Sequence, residues 1–135
     1  MKKITIISVL VLVMCGAAFA QGEKHLSSSP AAFKTFFSKF MGAVKRGDKT
    51  QVAGMTRFPF KYGFDAGDEG TMTRTQFVRR FSDVFGKHPR SFMTESNPEF
   101  SRDGSSYQIS TKDAAHLMFV KRNGTFWFEA YIVEP

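Results

Sequence analysis

The chain has 135 residues, of which 42% are hydrophobic and sixteen are Phe, and its formal net charge is +7. This length suits a single domain with a substantial core, and the apolar content excludes a disordered protein. The basic residues are scattered in short pairs instead of forming a continuous stripe, which argues against a protein that binds nucleic acid.

The first twenty residues have the pattern of a cleavable bacterial signal peptide. Lys2 and Lys3 precede an apolar run over residues 4–14, and Ala18-Phe19-Ala20 gives the small-x-small pattern expected before a cut after Ala20. The apolar run is shorter than the roughly twenty residues that span a bilayer, so we expect no transmembrane segment. The sequence therefore predicts an exported protein, either periplasmic or secreted.

A minor alternative is a lipoprotein anchored through Cys15, but Met14 is too large for the position before a lipidated cysteine. Cleavage after Ala20 removes this sole cysteine, so we expect no disulfide even in an oxidising compartment. It also removes Lys2 and Lys3, which leaves seventeen basic residues against twelve acidic ones, a net charge of about +5.

The mature chain begins with a polar, unpatterned segment over residues 21–29, which we expect to be a disordered lead-in. A helix is predicted next, with Ser29 as its cap, Pro30 at the N1 position and Gly47 at C′. Its apolar residues recur at helical spacing on one stripe: Phe33, Phe36, Phe37, Phe40, Met41 and Val44.

Asp48 and Gln51 have capping-box spacing, which predicts a short second helix through about Gly54. Aromatic residues then alternate with other residues over 58–64, as in a strand with one aromatic face. Pro59 lies within this run and indicates an edge strand or a bulge, because proline cannot donate to a ladder.

The acidic loop over residues 65–70 lacks the ligand spacing of a calcium-binding EF-hand, so we interpret it as a solvated turn. The next helix begins at a capping box formed by Thr73 and Gln76, and we expect it to end at Gly86.

Alternating patterns follow this helix to the end of the chain. They predict a weak strand over 91–94, a hairpin with its tip at residues 102–105, and a final hairpin around Asn123-Gly124, the favoured type I′ turn. If the last hairpin is regular, its cross-strand pairs on one face are Arg122 with Thr125, Val120 with Trp127, Met118 with Glu129, and His116 with Tyr131. The other face then carries the core residues Leu117, Phe119, Phe126, Phe128, Ala130 and Ile132.

These elements predict an α+β domain in which N-terminal helices pack on a curved antiparallel sheet. The Phe-rich first helix, the Gly-Asp start of the second, the Phe-Pro-Phe strand and the closing Gly-x-x-Trp strand resemble the nuclear transport factor two-like (NTF2-like) superfamily, over Pro30–Val133. The resemblance implies one cone-like barrel domain over residues 30–135, whose helices and bent sheet enclose a pocket, and it implies dimerisation through the outer sheet face. Members include enzymes and binding proteins, so fold alone does not decide the function.

The candidate ligand-binding residues are Tyr62, His116, Trp127, Glu129 and Tyr131. His116 and Glu129 could serve as a general acid–base pair with Tyr131 polarising a substrate, which leaves a small isomerase, dehydratase or hydrolase as one alternative. The same mixture is also typical of a half-exposed sheet face or a dimer interface. No residue aligns with the catalytic roles known in the superfamily, so none is assigned as catalytic.

We expect neither a metal nor a cofactor, because the three histidines lack metal-ligand spacing and no nucleophile motif occurs. The favoured function is an exported, non-catalytic domain that binds a small apolar ligand or a partner protein, with a homodimer as one form of partner. A structural protein of the cell envelope is a further alternative. Whether the cone is hollow decides between a ligand site and a filled core with an apolar sheet face.

Overall fold

The computed structural model describes residues 30–64, 67–86, 97–111 and 114–134. The signal peptide, the lead-in over 21–29 and the weak strand over 91–94 lie outside these residues. The elements in chain order are α1 (Ala31–Arg46), α2 (Lys49–Gly54), β1 (Thr56–Gly63), β2 (Glu69–Met72), α3 (Arg74–Arg79), α4 (Phe81–Phe85), β3 (Asn97–Phe100), β4 (Ser106–Ser110), β5 (Ala115–Arg122) and β6 (Thr125–Val133). Of the helices in the described ranges, none has the length and hydropathy needed to cross a membrane.

The helix α1 confirms the predicted apolar stripe. Its buried residues are Phe33, Phe37, Phe40, Met41, Ala43 and Val44. The helix ends where Gly47 adopts a left-handed φ of 67° and its N–H bonds to the Val44 carbonyl, as the C′ prediction requires. Pro30 is the N-cap and not the predicted N1 residue, because its ψ of 140° is extended and the helical backbone starts one residue later.

The short helix α2 begins at the predicted cap. The Asp48 carboxylate accepts a hydrogen bond of 3.0 Å from the Gln51 backbone N–H, which satisfies one of the orphan donors at the helix start. The Gln51 side chain instead accepts a 2.8 Å hydrogen bond from Arg46 Nη2. This contact ties α2 to the end of α1.

The six strands form one sheet in the order β2-β1-β6-β5-β4-β3. The predicted antiparallel sheet is wrong in one pair: β1 and β6 run parallel, so the sheet is mixed. The reason is topological, since β6 returns beside β1 only after two helices and four further strands of the described chain. The edge-strand interpretation of Pro59 is also wrong, because β1 lies between β2 and β6, whereas the bulge interpretation agrees with a register shift between Thr56 and Lys61.

The third predicted helix starts correctly but is interrupted. Thr73 and Gln76 form both hydrogen bonds of the predicted capping box. The helix then breaks at Arg80, whose φ of −96° and ψ of 19° separate α3 from α4. The predicted solvated turn over 65–70 is wrong at its end, because Glu69 and Gly70 begin β2, a strand that was not predicted from the sequence.

The last hairpin has the predicted turn but not the predicted register. Asn123 and Gly124 have φ angles of 49° and 76°, as a type I′ turn requires. Arg122 pairs with Thr125 and Val120 pairs with Trp127, as expected, but beyond them the register shifts between Met118 and Phe119. Glu129 is the extra residue of a β-bulge, so Met118 pairs with Ala130, Leu117 with Tyr131, and His116 with Ile132.

The bulge exchanges the faces of the residues that follow it. Tyr131 is 4% exposed and belongs to the core cluster, so its predicted place beside His116 on the outer face is wrong. Ile132, predicted as a core residue, instead pairs with His116 on the outer face and is half-buried, whereas Ala130 pairs with Met118 and is buried as predicted. One unpaired residue is enough for this exchange, since side chains alternate between faces with a period of two.

Phenylalanine rings fill the space between the helices and the sheet. From α1, Phe40 lies 5.3 Å from Phe119 and 5.0 Å from Phe128, measured between ring centroids. Phe60 of β1 lies 4.8 Å from Phe128 on its other side. The middle of this domain is therefore a filled aromatic core.

The turn between β3 and β4 depends on one carboxylate. Asp103 Oδ1 accepts hydrogen bonds from Ser101 Oγ, the Ser105 backbone N–H and Ser105 Oγ, at 2.5, 3.0 and 2.8 Å. The Ser101 bond, followed by those of Ser105, lowers the pKa of Asp103 from 3.8 to about 2.

We predict that Asp103→Asn is less stable than the wild type at pH 6 and that this gap shrinks toward pH 2. A carboxylate with a depressed pKa stabilises the folded state above its unfolded pKa, and the contribution is lost as pH falls through the folded value. Urea unfolding at both pH values measures the gap. An unchanged gap would show that the ionised carboxylate is not what holds the turn.

Candidate functional site

The five residues predicted to bind a ligand occupy two faces of the sheet. Tyr62 and Tyr131 are paired across the parallel strands β1 and β6 and pack with the core. Trp127, Glu129 and His116 lie on the outer face. The structure therefore brings the two tyrosines together and separates them from the other three residues.

An open cleft lies at the C-terminal ends of β1 and β6, beside the two tyrosines. Its volume is about 410 Å³, and it is lined by Phe64, Asp68, Arg80, Ser82, Asp83, Tyr131 and Val133. We name it the Arg80 cleft. Its size lies within the range of small-molecule sites, roughly 300–1,000 Å³.

Arg80 is the central side chain of this cleft. Its guanidinium carbon lies 4.9 Å from the Tyr62 ring centroid and 5.1 Å from that of Phe64, within cation–π distance of both rings. The break between α3 and α4 places Arg80 at this point, because it is the junction residue of the two helices. Phe64 completes the aromatic wall, with its centroid 6.0 Å from that of Tyr131.

Two carboxylates hold the other side of the guanidinium. Arg80 Nε lies 2.8 Å from Asp83 Oδ2, and Nη2 lies 3.7 Å from Asp68 Oδ2. The hydrogen bond to Asp83, and after it the bond to the Tyr62 hydroxyl, raise the pKa of Arg80 further above its ordinary value. The guanidinium is thus permanently charged and fixed in orientation.

Tyr131 forms the inner wall of the cleft. Burial raises the pKa of its phenol above 10, so the side chain is neutral at physiological pH. Around it, Arg80 carries one positive charge against the two negative charges of Asp68 and Asp83. The lining therefore combines aromatic surface with a slight excess of negative charge.

His116 is held in a different hydrogen-bond network on the outer face. Its Nδ1 lies 2.7 Å from Ser110 Oγ and 3.1 Å from Gln108 Nε2. Its Nε2 lies 3.3 Å from a carboxylate oxygen of Glu134, although this buried nitrogen has no hydrogen bond among the described residues. These neighbours fix the ring within the sheet surface.

Glu129 is engaged on the neighbouring strand and not with His116. Its Oε1 lies 3.2 Å from Arg57 Nη1, so the bulge residue bridges β6 to β1. The two members of the predicted acid–base pair have different partners and do not converge in a cavity between the helices and the sheet. The described ranges also hold no cluster of three or more His, Cys, Asp or Glu residues that could bind a metal ion.

Reasoning from the sequence missed Arg80, Asp83, Asp68 and Phe64 as parts of a site. Taken alone, the Arg79-Arg80 pair is typical of solvated charge at a helix end. The spacing of Arg80 and Asp83, three residues apart on a predicted helix, was the available signal. Only the break in the helix directs that ion pair toward the tyrosines.

Comparison with known proteins finds similarity to this chain only among solved structures. No protein-family model and no curated protein matches the sequence. Among solved structures, a protein described as a calcium/calmodulin dependent protein kinase II association domain, from Xanthomonas campestris, has 14% identity and a TM-score of 0.49, over 82% of this chain and 91% of that one.

Two further solved structures are similar to a comparable degree. Aln2 from a Streptomyces species has 14% identity and a TM-score of 0.47, over 78% of this chain and 91% of that one. An NTF-2-like protein of unknown function from Silicibacter pomeroyi has 16% identity and a TM-score of 0.45, over 76% and 91%. One of these neighbours is described as NTF-2-like, the superfamily that the sequence resembles, but likenesses at this level carry no conclusion about family or function.

We predict that the wild type loses stability above pH 10 more steeply than Tyr131→Phe. A phenol whose pKa is raised on folding keeps its proton longer in the folded state, so stability falls as pH rises from the unfolded pKa toward the folded one. This loss is absent in Tyr131→Phe, which has no phenol to ionise. Urea unfolding at pH 8 and pH 11 measures it, and equal losses in both proteins would contradict the prediction.

Proposed function

We propose that this chain is an exported, non-catalytic domain that binds a small, partly apolar molecule in the Arg80 cleft. The observation that carries the proposal is the fixed Arg80 guanidinium, 4.9 Å from Tyr62 and 5.1 Å from Phe64, at the mouth of a cleft walled by Tyr131. We further propose that the helices and curved sheet form a cone-like barrel with this cleft at its open end.

The walls of the cleft suggest the kind of ligand. Phe64, Tyr131 and Val133 offer apolar surface, whereas Ser82 and the two aspartates offer hydrogen-bond acceptors and Arg80 offers donors. A few oriented polar groups in an otherwise apolar lining are typical of specific small-molecule sites. An apolar ligand with one polar group would use both parts of this lining.

The filled aromatic core restricts such a ligand to the end of the domain. Because Phe40, Phe60 and Phe128 occupy the middle, a ligand would rest against the rings without passing between them. This arrangement supports a site for a compact molecule and gives less support to a deep pocket along the domain axis.

The alternative of a partner protein, including a second copy of the chain, depends on the outer sheet face. Met118 is 37% exposed there, beside the half-buried Trp127 and Ile132. An enzyme that uses His116 and Glu129 receives no support from the geometry, because Glu129 is paired with Arg57. No specific observation favours a purely structural role in the envelope.

We predict that the neutral apolar dye N-phenyl-1-naphthylamine binds in the Arg80 cleft and that Phe64→Ala weakens this binding about tenfold. Loss of one aromatic wall removes roughly 1.5 kcal/mol of contact, which corresponds to that factor. Dye fluorescence, which rises in apolar surroundings, measures the affinity.

The matched control is Phe36→Ala, which removes the same side chain from another partly buried position, on α1, outside both the Arg80 cleft and the cleft at the other end of β1 and β6. It is expected to leave dye affinity within a factor of two, on the order of 0.4 kcal/mol. Equal weakening by both variants would show general loosening of the domain and would refute a site at the Arg80 cleft.

We also predict that the protein, expressed with its complete N-terminus in a bacterial cell and recovered from the envelope, begins at Gln21. The pattern Ala18-Phe19-Ala20 supports this cut. Native mass spectrometry of the recovered protein gives the mature mass, any retained ligand and the oligomeric state. An unprocessed cytosolic chain would contradict export, and a ligand-free monomer would weigh against both forms of binding.

A further inference from the structure

A second cleft lies at the opposite ends of the same two strands, where β1 and β6 begin. Its volume is about 630 Å³, and it is lined by Thr56, Arg57, Phe58, Arg74, Arg122, Asn123 and Trp127. We name it the Arg122 cleft. The proposed function makes no use of it, and none of the residues that line the Arg80 cleft takes part in it.

Two of its three arginines are held in place by the fold. Arg74 Nη1 donates a 2.9 Å hydrogen bond to the Ala53 carbonyl, and its guanidinium carbon lies 4.9 Å from the Phe58 ring centroid. Arg57 Nη1 lies 3.2 Å from Glu129 Oε1. The directions of these two guanidinium groups are therefore set before any ligand arrives.

Arg122, at the end of β5, differs from the other two arginines. Within the described residues its side chain makes no hydrogen bond, ion pair or ring contact, and it is exposed beside the Asn123-Gly124 turn. Its five N–H donors are thus available to an acceptor in the cleft. Trp127 adds a half-buried indole to the same lining.

The charge of this cleft is opposite to that of the Arg80 cleft. Arg57, Arg74 and Arg122 carry three positive charges, and the neighbouring Glu129 carries one negative charge. Several guanidinium groups around one space attract phosphate and carboxylate groups, which they bind through paired N–H donors. A flat indole beside them favours a ligand that also has a planar apolar part.

We propose that the Arg122 cleft binds a small organic anion. Its phosphate or carboxylate group lies among the three arginines, and its planar body lies against Trp127. The site is independent of the Arg80 cleft, because the two occupy opposite ends of the β1–β6 pair.

Trp127 makes the test direct, because it is the single tryptophan of the chain and its emission reports on this cleft. The protein is titrated with phenyl phosphate, benzoate and benzamide, with KCl adjusted to keep the ionic strength constant. Both anions are expected to change the emission saturably, with a Kd of about 1 mM for such small ligands, whereas the neutral benzamide has no effect up to about 20 mM. The stronger of the two anions indicates whether the site prefers phosphate or carboxylate.

Arg122→Gln is expected to weaken the binding of both anions about tenfold, since it removes one charge-assisted contact. The matched control is Arg102→Gln, an identical change at an exposed arginine in the β3–β4 turn. The affinity of this control for both anions is expected to stay within about a factor of two of the wild-type value, because substitutions at uninvolved surface positions have small effects. Circular dichroism spectra and melting curves of both variants verify that they are folded.

Three outcomes would overturn the proposal: no saturable change with either anion, equal binding of benzamide, or equal weakening by both variants. The first would show that neither anion binds at the cleft. The second would show that binding depends on apolar contact and not on the anionic group. The third would show that the anions respond to general surface charge. None of them bears on the dye experiment at the Arg80 cleft, so the two proposals fail separately.

Discussion

Aromatic packing between α1 and the sheet is the interaction on which the rest of the structure depends. Phe33 and Phe40 both contact Phe119, with centroids 5.6 and 5.3 Å away, and Phe119 in turn lies 5.3 Å from Phe128. Each buried ring contributes about 1.5–3 kcal/mol by leaving water, and each favourable ring pair adds about 0.5–1.5 kcal/mol. Because these rings fill the centre of the domain, the Arg80 cleft and the Arg122 cleft lie at its two ends.

The parallel pair β1–β6 determines what those two ends contain. Parallel strands place both of their N-terminal ends at one end of the domain and both of their C-terminal ends at the other. At the N-terminal ends of β1 and β6, Arg57 and Trp127 contribute to a basic cleft. At the C-terminal ends of these strands, Phe64 and Tyr131 contribute to a cleft with an excess of acidic groups. An antiparallel pair would have mixed these four residues, so their separation follows from strand direction. Apart from Arg57, the charged residues of the two clefts come from the helices, β5 and the turn after β1.

The features that could be predicted from sequence are those that neighbouring residues determine. The capping box of Thr73, the left-handed Gly47 and the Asn123-Gly124 turn each depend on a few consecutive residues, and all three were found.

The features that could not be predicted depend on distant partners. Glu129 pairs with Arg57, 72 positions away, and no local pattern shows that it leaves the ladder. The helix break at Arg80 likewise coincides with its contacts to Tyr62 and Phe64 of β1 and the turn after it. Prediction therefore succeeded for most elements, whereas of the residues that line the Arg80 cleft it named only Tyr131, because long-range contacts bring the others together.

The bulge at Glu129 has a consequence for how this fold can change over time. Since side chains alternate along β6, loss or gain of one residue there would exchange the faces of all residues between the bulge and the strand end. Tyr131 would leave its cleft for the outer face, and Ala130 would turn inward. The strands, their order and most of the aromatic core lie before that point and would stay as they are. A single insertion or deletion event can thus give such a domain a new binding surface while keeping its architecture, which no single substitution in the strand could achieve.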